Sequence, residues 1–255
     1  MIHNILANTP ETFVVQIFVN TPWWKEEIHK FHRGMSALEE HPRVTITEIP
    51  AHLLRVLTKP KMIMTHRFIW ENLLHDRVFF FSGNGVRCAN SLASLESFDG
   101  IDFLGAPSDY RGGDVLIHSI RNRQAMLDVI DFKGDAGDTA ETDYFSTGLD
   151  ELDKRTPGKY RFATHHEQVL FAGGATLVTQ NNTLREDPER FGPSFVMSGI
   201  EGDIPWEVRD HLLMLCPEWK LMFPSLHDPN CFGHSLNAEK CAASICALDT
   251  SRSSC

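Results

Sequence analysis

The chain has 255 residues, 42% of them hydrophobic and 23% charged, with 17 Phe and 5 Trp. A chain of this size can fold on its own core without staples, and the composition excludes a disordered or fibrous protein. Lys and Arg total 24 against 34 Asp and Glu, a net charge of -10, and no Lys/Arg cluster supplies the basic face that nucleic acid requires.

Met1 to Pro10 lacks the basic start and apolar middle of a signal peptide. No apolar run approaches the roughly 18 residues of a membrane span. A soluble, cytoplasmic protein is the expectation. Six cysteines occur: Cys88, Cys216, Cys231, Cys241, Cys246 and Cys255. No two have C-x-x-C spacing, so free thiols are expected rather than a disulfide or a zinc site.

Thr12 to Val19 is a continuous apolar, β-branched run, the pattern of a strand buried on both faces. Asn20-Thr21-Pro22 then caps a helix predicted over Trp23 to Glu40, with Trp24, Ile28, Phe31, Met35 and Leu38 on one face. Val44 to Ile49 is a second strand. Pro60 opens a helix carrying Ile63, Phe68, Trp70, Leu73 and Leu74, which runs into the strand Arg77 to Phe81. Further strands are predicted at Ile101 to Pro107, Asp114 to Ile120, Leu170 to Gln180 (broken by Gly173-Gly174) and Trp219 to Phe223. Helices are predicted at Arg121 to Phe132, Glu141 to Lys154 and Pro205 to Leu215. From Leu236 the composition turns to Ala, Ser and Cys and reads as a frayed tail. One domain over residues 1–235 and a tail over 236–255 is the resulting count.

Strands alternating with helices imply an α/β fold, a mainly parallel sheet sandwiched by helices. Ligands of such sheets sit outside the carboxyl ends of the strands. The turn Ser82-Gly83-Asn84-Gly85, directly after Phe81, is therefore the first place to look for a site.

The chain has no phosphate loop, no complete Gly-x-Gly-x-x-Gly fingerprint and no Gly-x-Ser-x-Gly elbow. His165-His166-Glu167 has metal-binding residue types, but adjacent histidines on a strand point to opposite faces. His227, Asp228, Cys231 and His234 form a second cluster with no partner segment. A metal hydrolase built on His165, His166, Glu167 and His227 is the reading these groups would support. Glu141-Thr142-Asp143 begins a helix after a small acidic loop, where the helix dipole alone accounts for carboxylates. A catalytic role would need a site on the same sheet edge.

Taken together, Phe68-Ile-Trp-Glu71, Val78 to Phe81, the Ser82 to Cys88 frame, Leu95 to Phe98, Asp102-Phe-Leu-Gly-Ala-Pro107, Ser119-Ile-Arg121, Ala125-Met-Leu127, Glu141 to Phe145 and Cys216-Pro217-Glu218 follow one order and spacing. In that order the chain resembles an uncharacterised glycosyltransferase-like family, the domain of unknown function 5672, over residues 12–223. The resemblance implies a GT-A-type fold and a nucleotide-sugar donor with an unknown acceptor. It implies substrate-binding positions at Gly83, Asn84, Asp102, Gly105, Ser119 and Arg121, with Glu141 or Asp143 as general base. It also implies Mn²⁺ or Mg²⁺ on the diphosphate. Asn84 stands where the family has its metal-holding Asp, and neutral Asn is a poorer ligand for a hard cation. The chain further has Ser108 for a Trp, Val115-Leu-Ile117 for Asn-Gly-Gly, and no His before Trp206. These departures motivate a second reading, a non-catalytic binding protein on the same fold.

Overall fold

The computed structural model describes residues 2–19, 37–56, 60–81, 85–108, 110–115, 118–134, 136–137, 139–179, 194–198 and 213–219. Most of the helix predicted at Trp23 to Glu40, most of Pro205 to Leu215, nearly all of Trp219 to Phe223, and the 236–255 tail lie outside these residues.

Helix α1 (Ile2–Asn8), which the sequence reading did not anticipate, buries Ile5 and Leu6. The apolar run after it forms β1 (Val15–Val19), paired in parallel with β2 (Val44–Glu48) from Val15↔Val44 to Val19↔Glu48. Three short helices follow: α2 (Ala51–Val56), α3 (Pro60–Met64) and α4 (Arg67–Glu71). The single helix predicted from Pro60 is thus two. His66 separates them because its side chain accepts from the Phe68 N–H as an N-cap.

Strand β3 (Arg77–Phe81) is where it was expected, and β4 (Gly85–Arg87) follows it. A 3₁₀ turn (Leu95–Phe98) leads to β5 (Phe103–Leu104) and β6 (His118–Asn122). The strand predicted at Asp114 to Ile120 therefore starts later, and Asp114 only bridges Ala106. Asn122 caps α5 (Arg123–Lys133), its Oδ1 accepting from the Ala125 N–H at 3.1 Å. Helix α6 (Glu141–Arg155) matches its prediction to within a residue. The segment expected to be a strand from Leu170 is instead helix α7 (His165–Thr179), bent at Ala172 just before the Gly173-Gly174 pair. Strand β7 (Val196–Ser198) closes the described topology.

The fold is α/β, but the mainly parallel sheet is not observed. Among the described residues the β1–β2 ladder alone is parallel; β3–β6–β5 and β4–β7 are antiparallel. The reason is connective: parallel neighbours need a crossover of a dozen or more residues, usually a helix. Among the described residues between β3 and β6 there are β4, a 3₁₀ turn and β5 but no α-helix to carry a parallel crossover, and β6 returns antiparallel beside β3.

The β3–β6–β5 sheet has a core on each face. One gathers Trp70, Phe103, Met126, Phe145 and Leu149 under α4, α5 and α6. The other packs Phe98, Phe171 and Phe195 with Phe79, edge-on or stacked at centroid distances of 5.5–6.1 Å.

Cys88 and Cys216 form a disulfide, correcting the free-thiol expectation for these two. They are 128 residues apart. The β4–β7 pairing and the Cys88 N–H donated to the Phe195 carbonyl hold a late part of the chain against the Cys88 segment, so local spacing carries no sign of the disulfide. Closing so long a loop restricts the unfolded chain by about 5 kcal/mol in the chain-entropy account. Urea unfolding with and without reductant should show a loss of that order, and Cys88→Ser should reproduce it; identical midpoints would refute the assignment.

Candidate functional site

Antiparallel pairing sets Val78 opposite Arg121 and Phe81 opposite His118. Alternation along β6 sends Ser119 and Arg121 to the same face. There Arg121 is 1% exposed and each of its side-chain nitrogens has a partner. Nε donates to Ser119 Oγ at 2.8 Å, Nη2 donates to the Val115 carbonyl at 3.2 Å, and Nη1 lies 2.5 Å from Glu141 Oε1. The Glu141 side chain is 8% exposed. Neither of those two atoms has another hydrogen-bond partner among the described residues. Phe80, Trp70 and Phe145 surround the guanidinium at 4.9, 5.6 and 5.6 Å from their ring centroids.

Glu141 is the first residue of α6, and its N-cap Ala140 makes no side-chain hydrogen bond, so the acidic first turn answers the helix dipole instead. Thr142 Oγ1 donates to Asp114 Oδ1 at 2.7 Å and accepts from the Val115 N–H at 3.4 Å. Gly105 completes the cluster: a Cβ there would sit 2.2 Å from the Asp114 carbonyl oxygen, so the glycine of Gly105-Ala106-Pro107 permits close backbone approach to Asp114. Gly113, at φ +98°, makes the turn that returns the chain to Ala106.

Gly105, Ser119, Arg121 and Glu141 are thus brought together, in the interior. Asp143 is not with them. It is half-buried at the same helix end, and its carboxylate has no hydrogen bond or ion pair among the described residues. Asp102 lies elsewhere, with Oδ2 accepting from the Arg161 N–H at 2.9 Å. Gly83 and Asn84 lie outside the described residues.

His118 was passed over by the sequence reading. It is 2% exposed, neither ring nitrogen has a partner among the described residues, and its Nε2 fills the space a Cβ on Gly85 would need. Burial lowers its pKa to about 4, so the ring is neutral at neutral pH. Only the β3–β6 register, invisible in sequence, brings it beside Gly85.

Among the described residues no three His, Cys, Asp or Glu side chains gather to hold a metal ion. The described part of the site therefore does not fit Mn²⁺ or Mg²⁺ by itself, and no chemical step is assigned through one. His165-His166-Glu167 is the start of a helix rather than a strand. Glu167 accepts from the Thr164 N–H at 2.8 Å and pairs with Arg161 at 2.5 Å, a capping role. His227, Asp228, Cys231 and His234 lie outside the described residues. Among the described residues no helix is long and apolar enough to cross a membrane.

No family model and no curated protein matches the chain. Among solved structures it is similar to the glycosyltransferase GlyE of Streptococcus pneumoniae TIGR4, with 11% identity and a TM-score of 0.43, covering 87% of this chain and 57% of that one. The apo-form of GlyE gives 10%, 0.40, 91% and 60%. The chain thus spans less than two thirds of the length of these neighbours. Likeness at this level transfers neither fold nor activity.

Two outcomes follow from this geometry. Glu141→Gln strands a buried guanidinium and should cost about 3–5 kcal/mol in urea unfolding, whereas Asp143→Asn should stay within about 0.5 kcal/mol. His118 binds a proton more weakly folded, near pH 4, than unfolded, near 6.5. The unfolded state therefore holds more protons between these values. Stability should be full above about pH 6.5 and fall by roughly 3 kcal/mol as pH drops toward 4. His118→Leu should flatten that part of the pH–stability curve; an unchanged slope would assign it to other groups.

Proposed function

We propose that the chain is a glycosyltransferase-type protein whose donor is a nucleotide sugar, with Asp143 as the general base at the α6 edge. The observation that supports this most is the division of labour in the first turn of α6. Glu141 is locked inward on Arg121, while Asp143, two residues on and so on a different helix face, keeps a half-buried carboxylate without a partner. The ordered motifs Gly105-Ala106-Pro107, Ser119-Ile-Arg121 and Glu141 to Phe145, on which the resemblance rests, meet around that turn, which supports this reading.

In this reading the acceptor hydroxyl attacks the anomeric carbon and its proton passes to the Asp143 carboxylate. The bond from that carbon to the diphosphate oxygen breaks, and the nucleoside diphosphate leaves with the electron pair. Arg121 and Glu141 act as positioning residues that hold β6 against α6.

A second reading, a non-catalytic binding protein, draws on Arg121. Its charge is already matched by Glu141, and Asn84 is neutral where the family has a carboxylate.

Thermal shift with UDP, GDP and their sugar conjugates, with and without Mn²⁺, tests the donor. A rise in melting temperature at millimolar nucleotide supports it, and no rise with any of them rejects it. Donor hydrolysis or transfer to a panel of acceptors then separates the readings. Asp143→Asn should lower the transfer rate by about 10²–10⁴-fold with nucleotide affinity unchanged. Nucleotide binding without any turnover would favour the non-catalytic protein.

A further inference from the structure

Strands β1 and β3 lie side by side without pairing. Val15, Ile17, Phe79 and Phe81 belong to one hydrophobic cluster, and Phe18 and Phe80 to another, so the two strands share both faces of one layer. Yet among the described residues no ladder bond joins them, and a cavity of about 870 Å³ lies between.

The hydrogen-bond parity of each strand shows what faces that cavity. In β1 the Val15 N–H donates to the Arg43 carbonyl and the Val19 carbonyl accepts from the Ile49 N–H, both at 2.8 Å. Val15, Ile17 and Val19 therefore face β2, and the peptide groups of Gln16 and Phe18 face away from it. In β3 the Asp76 carbonyl accepts from the Arg123 N–H at 2.6 Å. This fixes Val78 and Phe80 as the residues bonded to β6, and turns the peptide groups of Arg77, Phe79 and Phe81 the other way. Two open strand edges thus border one cavity.

Near the start of β1 one side chain ties three segments together, the Gln16 Nε2 donating to Thr47 Oγ1 on β2 at 2.7 Å. The Gln16 carboxamide donates from Nε2 to the Asn72 carbonyl at 2.8 Å and accepts at Oε1 from the Leu74 N–H at 3.1 Å. A single amide spans from β1 to the segment entering β3.

We propose that the slot between β1 and β3 is a strand-addition site that takes an extended apolar peptide from another protein. Buried peptide groups need partners. A fatty acyl chain would fill the volume and leave both edges unbonded, whereas an extended peptide fills it and bonds to both. Each bordering strand has five residues, which sets the length of the insert. Both floors are apolar, so successive side chains must all be apolar, and proline is excluded because it lacks the N–H the ladder needs. His75, Asp76 and Arg77 at one mouth suit a polar end. This inference does not rest on the transferase reading.

The probe is the peptide acetyl-Lys-Val-Ile-Val-Ile-Val-Lys-amide, compared with the same peptide N-methylated at its three valines and with decanoate. The full chain is used, with calorimetry and residue-resolved hydrogen exchange. The expected result is binding at one per chain, slowing of the Phe18 and Phe79 amides by at least roughly tenfold, and a comparable loss of affinity on N-methylation. Equal binding of the two peptides, preference for decanoate, or no binding at about 1 mM peptide overturns the proposal. So does exchange at Phe18 and Phe79 that is already slow in the free protein, because the edges would then be paired without a guest.

Discussion

The ion pair of Arg121 with Glu141 is the constraint on which the rest of this half of the molecule turns. It joins a strand to the first residue of a helix inside an aromatic box, where neither charge has water to fall back on. Such a pair adds little net stability over an apolar substitute, but it does not tolerate the loss of either member. It therefore dictates the register of β6 against β3, since a slip of one residue would turn the guanidinium to the opposite face. It also fixes the start of α6, and with it the direction in which Asp143 points.

That arrangement reassigns several residues whose pattern suggested ligand contact. Ser119 serves the guanidinium, and Gly105 serves a close backbone approach. A motif can be strictly ordered because the scaffold needs it, with the chemistry left to a neighbour two positions away. The acidic balance of the chain, -10, bears on the same point. An overall negative field opposes a diphosphate, so under the proposed function the donor would have to be held by local dipoles or by an ion it brings with it.

Much of this was legible in the sequence. The apolar run from Thr12 holds a strand at Val15–Val19, the run Arg77 to Phe81 is a strand throughout, and Glu141 opens a helix as its acidic first turn implies. What escaped was non-local. Leu170 to Thr179 is apolar enough for either structure, and its two glycines were read as a break in a strand rather than a bend in a helix. The antiparallel return of β5 and β6 depends on the Gly112-Gly113 turn, which no periodicity reports. The helix begins at Arg123 rather than Arg121, and those two residues put Arg121 inside a strand, which changes its role. His118 and the disulfide partners meet only through strand pairing.

The disulfide divides the chain in a way that packing alone does not. Residues 88 and 216 close a ring containing β5, β6, α5, α6, α7 and β7, while α1 and β1 to β4 lie outside it. If tension were applied between the two termini, it would pass directly from Cys88 to Cys216 through one covalent bond. The chain of the ring, whose ends are 128 positions apart and which extends to about 45 nm, would bear none of it. Strands β1 to β3 and the slot beside them would stand in the line of force, while the Arg121–Glu141 pair would be mechanically silent.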